Sequence, residues 1–241
     1  MGLTIHYNLE TKLSKVEEIR RLVEGLRQFA MDLPFQKVEE MVEFKGKEVS
    51  YDDKYDPHRW LKIQAGQYLS DGPYSYSVAP QHIIAFTTVP GEGSEPANFG
   101  FCSYPYSTVV PECGRRRRTH LKGWLWRSFC KTQYASDPEC GGVPNFLRSH
   151  LCVVKLLDFA KKTGWIDVEV SDEGGYWEDR NVEKLAKQVG EWNEMMAALV
   201  GQLSDAAQAQ GLTSESAIAA FPNFEHLEAK GLERLKGLGN R

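Results

Sequence analysis

Hydrophobic and polar positions alternate from the start of the chain. Leu3, Ile5 and Tyr7 interleave with Thr4, His6 and Asn8, the period of a half-buried strand. The period then lengthens. Val16, Ile19, Val23, Leu26 and Ala30 recur at helical spacing, Ser14 and Glu17 fit a capping box ahead of them, and Pro34 stops the run. In KVEEMVEF, Val38, Val42 and Phe44 share a strand face that Glu40 interrupts. The opening therefore reads β–α–β, and a right-handed crossover would set its strands side by side and parallel.

Farther on, YDDKYDPHRW reads as a polar, aromatic loop leading into a short strand or helical turn at Trp60–Gln64. Tyr74, Tyr76 and Val78 alternate as a strand. His82–Val89 is apolar on both faces and β-branched, which predicts a central strand, and Asn98–Tyr104 returns beside it. Pro144 opens a helix through Leu147, Leu151, Val154, Leu157 and Ala160 that Gly164 closes. Ile166, Val168 and Val170 form a strand with Asp167 and Glu169 on its other face. A second long helix carries Val182, Leu185, Val189, Trp192, Met196, Leu199 and Leu203, a seam suited to the first helix or to a second copy of the chain. Beyond Ser204 few large apolar residues remain. The expectation is one α+β domain over 1–203, with a mixed sheet and about three principal helices. A flexible or weakly helical tail over 204–241 would contribute little to folding.

Charge sharpens this picture. The formal net charge is −4, so bulk charge favours neither nucleic acid nor an anionic membrane. Yet Cys113–Ser136 holds no Asp or Glu, while Arg115, Arg116, Arg117, Arg118, Lys122, Arg127 and Lys131 all lie within it. The five cysteines are odd in number and never spaced CxxC, which with the absence of a signal-peptide pattern predicts a reducing cytoplasm. No apolar run approaches the roughly 20 residues of a bilayer span.

Three constellations could carry chemistry. In the first, Arg115–Arg118, Arg127 and Lys131 neutralise phosphates while Trp124, Trp126 and Phe129 stack on exposed bases, a combination suited to single-stranded nucleic acid. The alternative is a strand whose tryptophans face the core and whose arginines sit in a solvated turn. In the second, a Cys–Gly–Gly turn delivers the chain into a helix start near Lys131, Gln133, Tyr134 and Arg148, where backbone N–H groups favour an anion. The third is enzymatic. Cys130, Cys140 and His150 could form a thiol–imidazole pair, with Cys130, His150 and Glu178 the catalytic candidates. Asp167, Glu169, Asp172, Glu173, Glu178 and Asp179 could hold Mg²⁺. Against it, His150 falls between Phe146 and Leu157 on the buried side of its helix, and no close ligand pairs mark a structural metal site.

The blocks FCKTQYASDPECGG and SDEGGYWEDR resemble segments of uncharacterised bacterial proteins of about this length, up to about Leu203. The resemblance implies a bacterial, cytoplasmic setting and brings no activity or residue roles with it. Two functions follow from the residues. One is a soluble, non-catalytic protein whose segment 113–131 takes single-stranded nucleic acid or an acidic protein surface. The other is a small hydrolase or metal-dependent nuclease with a pocket between 130–150 and 167–180. No cofactor is indicated.

Overall fold

The computed structural model describes residues 3–208 and 216–238. The fold is α+β. Its main sheet has seven strands: β1 (Thr4–Thr11), β2 (Lys37–Val38), β3 (Val42–Lys45), β6 (His82–Val89), β7 (Ala97–Ser103), β10 (Trp124–Lys131) and β11 (Ile166–Asp172). Two small ribbons stand beside it, β4 (Gln67–Asp71) with β5 (Tyr74–Val78), and β8 (Ser107–Val109) with β9 (Arg116–Arg118). The helices are α1 (Val16–Met31), α2 (Arg59–Gln64), α3 (Gly142–Lys162), α4 (Tyr176–Asp179), α5 (Val182–Gln208) and α6 (Phe224–Leu238).

The sheet order is β11-β1-β10-β7-β6-β2, with β3 also on β6, and every pairing is antiparallel. The mixed sheet and the parallel β–α–β opening are thereby corrected. After β1 the chain runs through α1, crossing β10, β7 and β6 before β2 pairs with β6. The neighbours of β1 are the strands that end far later in sequence. Val38 faces Thr88 but Val42 faces Ala85, so β2 and β3 are two pieces of one edge strand separated by a bulge. The buried Arg27 side chain holds the bulge, donating to Glu39 O at 2.8 Å and pairing with Glu40 at 2.8 Å. The capping box at Ser14 does not form. Lys15 is the N-cap of α1, which leaves the Ser14 hydroxyl one residue out of register.

Strand alternation sorts the sheet into two faces. Ile5, Tyr7 and Leu9 pair with Cys130, Ser128 and Trp126, and this face meets α1 and α3, which stack on each other through Phe29 and Phe159 at 4.0 Å. The opposite face carries His6, Asn8 and Glu10 on β1 and Arg127 and Phe129 on β10. α2 and the β4–β5 ribbon cover only part of it. The rest of this face is open over β1 and β11, where Glu10, Asp167 and Glu169 are exposed.

α5 packs on α3 and α6, not on α1. Its contacting face is Leu185, Val189, Ala197 and Val200, while Leu199 and Leu203 of the expected seam are exposed. Residues 216–238, read from sequence as tail, seat Ile218 and Phe221 against Ala197 and Val200. α6 approaches α5 so closely that a Cβ on Gly231 would collide with the Glu194 carbonyl. Arg234 clamps the contact to Glu194 and Glu191. The rest of the expected tail, 209–215 and 239–241, lies outside the described residues. No helix among the described residues is long and apolar enough to cross a membrane.

Ile218 and Phe221 are both buried, so ending the chain after Asp205 should lower the unfolding free energy by more than about 2 kcal/mol. Urea denaturation of the two lengths measures it, and an unchanged midpoint would show that the contact adds nothing to stability.

Candidate ligand-binding cleft

β10 and β7 pair at a single point, Leu125 opposite Cys102, and then separate. They are drawn together again at Glu95, whose N–H donates to Lys131 O at 2.9 Å and whose carboxylate accepts the Lys131 N–H at 3.1 Å. The slot between these points is filled by side chains. Tyr7 Oη and Trp126 Nε1 both donate to Asn98 O, at 2.6 and 2.8 Å. Gln64, the last residue of α2, accepts from Asn98 Nδ2 and Ser128 Oγ, each at 2.7 Å, and donates to Phe129 O at 3.3 Å. An amide thus takes the place of missing ladder bonds.

Gln64 fixes α2 against the outer face, and a cleft of about 430 Å³ forms where α2 overhangs the open strands. Its walls include His6, Trp60, Tyr68, Arg127 and Phe129, with Gln64 and Ser128 among the lining residues. Trp60 meets Phe129 edge to face at 6.2 Å, and His6 lies 5.9 Å from the same ring. Trp60, Tyr68, His6 and Arg127 are exposed. Such a volume suits a small planar ligand or one unit of a chain, with aromatic faces for stacking and one guanidinium for an anion.

Of the expected basic–aromatic residues, Arg127 and Phe129 belong to this cleft. Trp124 and Trp126 are buried and cannot stack on a base, since Trp126 spends its N–H on Asn98 and Trp124 packs edge-on against His82 at 4.9 Å. Arg116, Arg117 and Arg118 form β9, and Arg115 precedes it. Arg115, Arg116 and Arg118 are exposed, with Arg118 5.3 Å over the Tyr106 ring. The anion cradle at the start of α3 does not assemble. Gln133 is fully buried and committed to Leu3 N–H and to Asn193. Lys131 lies 4.5 Å over the Tyr134 ring, and Arg148 donates to Asn145 at 2.7 Å. The nearby Asp137, Glu92 and Glu139 give this corner the wrong sign for an anion.

The enzymatic residues do not share a cleft either. Burial, with the Glu95 charge adding to it, pushes the Cys130 thiol well up, and the thiol donates to Glu95 O at 3.2 Å. Cys140 is raised by burial and by its acidic neighbours, so neither sulfur is an activated nucleophile. Glu178 is exposed on α4. His150 is fully enclosed, with Nε2 3.1 Å from Asp172 and Nδ1 2.9 Å from Thr132 Oγ1. Asp172 also accepts the N–H groups of Gly174 and Trp177, at 2.8 and 2.9 Å. Burial alone would raise the Asp172 carboxyl, but these donors, His150 first, hold it below its ordinary range. The dyad locks α3 to the ends of β10 and β11. Asp167 and Glu169 lie on the opposite face of β11 from Asp172. Among the described residues no group of three or more His, Cys, Asp or Glu could hold a metal ion.

No protein-family model, no curated protein and no solved structure matches this chain. Its cleft is therefore read from its own residues.

Sequence reasoning missed Trp60, Gln64, Tyr68 and His6 as a group. The signal present was RWLKIQ, with an aromatic and a glutamine on successive turns of a short helix. Gln64→Leu should leave the Asn98 amide, the Ser128 hydroxyl and Phe129 O without their partner. A loss of roughly 3 kcal/mol is expected, with faster hydrogen exchange at the β10 amides beside the slot. Unchanged exchange there would mean that the slot holds without Gln64.

Asp172→Asn should cost about 3–5 kcal/mol at neutral pH, as breaking a buried pair does. The folded carboxyl lies below its ordinary value of 3.8. Its stabilisation is thus fully present above that value and is lost as pH falls through the folded pKa. The gap between the two proteins should narrow in acid, which denaturation at a series of pH values would reveal.

Proposed function

We propose that the chain is a non-catalytic protein that binds single-stranded nucleic acid. The observation that carries this reading is the cleft itself, where Trp60, Phe129, Tyr68 and His6 surround an opening flanked by Arg127. An unpaired base stacks on the aromatic faces, and its phosphate meets the guanidinium. The exposed arginines of β9 and Arg115 add a second cationic surface, suited to the backbone of a longer strand. The five unpaired cysteines support the cytoplasmic setting that the composition suggests.

Titration of a labelled single-stranded oligonucleotide at several salt concentrations tests the proposal. Trp60→Ala should weaken binding by about 1–3 kcal/mol and leave the salt slope alone, as loss of stacking does. Arg127→Ala should weaken binding and flatten the slope. Joint replacement of Arg115, Arg116, Arg117 and Arg118 by Ala should flatten it further, since fewer counterions are released. Binding weaker than about 100 μM at low salt would fall short of ordinary non-specific affinity and sink the reading.

A further inference from the structure

β11 is the end strand of the main sheet, and β1 occupies one of its two edges. Register decides which backbone groups face the other. Glu173 N–H donates to Thr4 O, which marks Thr4 and Glu173 as a hydrogen-bonded pair continuing the β1–β11 ladder. In an antiparallel ladder such pairs recur at every second residue. Asp167, Glu169 and Ser171 therefore turn their N–H and C=O groups toward β1, and Val168 and Val170 turn theirs outward. Asp172 O, next in the outward series, is met by Gly175 N–H as the chain leaves the strand.

The side chains of β11 alternate as well. Val168 and Val170 are half-buried on the helix-covered face, while Asp167 and Glu169 are exposed on the open face beside Glu10. A cavity of about 540 Å³ lies along this edge, lined by Asn8, Glu10, Lys161, Asp167, Val168 and Glu169 among others.

We propose that this edge docks an extended segment of a partner protein whose residues alternate between apolar and basic. Such a segment would add a strand to the sheet, exchanging main-chain hydrogen bonds with Val168 and Val170. Residues directly opposite these valines share their face, so the apolar positions of the partner lie over Val168 and Val170. The intervening basic positions then fall beside Glu10, Asp167 and Glu169. A second copy of β11 does not fit, because antiparallel self-pairing would set Asp167 and Glu169 against their own counterparts.

Fluorescence anisotropy with a labelled, end-blocked octapeptide alternating valine and lysine tests this on the full chain. The expected result is saturable binding. It should be weakened at least about tenfold, or 1.4 kcal/mol, in each of three comparisons. The first replaces the lysines with glutamates. The second N-methylates the valines, which removes the backbone donors facing β11 and keeps the charge. The third uses the protein carrying Asp167→Asn with Glu169→Gln, both exposed substitutions that leave the core untouched. No saturable binding, or equal binding of the N-methylated peptide, would overturn the proposal. Self-association of the unsubstituted protein through β11 would overturn it too. None of these outcomes bears on the cleft at Trp60.

Discussion

The amide of Gln64 in the slot between β10 and β7 is the interaction on which the cleft side of the sheet depends. Two strands that meet at Leu125 and Cys102 and then separate would leave buried backbone groups without partners. Tyr7, Asn98, Trp126, Ser128 and Gln64 supply those partners in one connected set. A network of this kind is worth having only when every member is satisfied, and among the described residues no buried side-chain N or O lacks a partner. Because Gln64 ends α2, satisfying the slot also fixes where Trp60 stands. The aromatic wall of the cleft is a consequence of how the sheet closes its gap.

The second lock is at the other end of β10. Thr132 follows the strand directly and bonds His150 of α3, which bonds Asp172 at the end of β11. One buried imidazole thus ties together β10, α3 and β11, which follow one another along the chain. The residues have the types of a catalytic triad but none of the access that one requires. Their full burial and saturated hydrogen bonds make the set structural, as the place of His150 on its helix wheel suggested.

Local pattern was a good guide where burial has a simple period. The alternation of β1, the apolar run of β6 and the face of α3 were legible because each buries a continuous stripe against a neighbour. Pairing was less legible. β1 sits between β10 and β11, whose partners in register begin at Lys131 and Asp172, and nothing in the opening β–α–β pattern announces such distant neighbours. The buried face of α5 departs from its seam of large apolar residues for a related reason. Small residues, Ala197 and Ala198, are buried where α6 and its preceding turn pack closely, while the larger Leu199 and Leu203 remain exposed.

The site was the least legible part because composition scans windows, whereas the cleft draws on three segments. His6 and Asn8 come from β1, Trp60 and Gln64 from α2, and Arg127 and Phe129 from β10. The basic stretch drew notice as one block, yet strand alternation divides it. Trp124 and Trp126 point into the core while Arg127 and Phe129 point out. Period two therefore separates the cations from the tryptophans beside them and gives Arg127 new aromatic neighbours across the sheet and on α2. What the block contributes to the cleft is set by the strand that carries it: Arg127 and Phe129 share the outer face, and the remaining aromatic walls, His6, Trp60 and Tyr68, come from elsewhere in the chain.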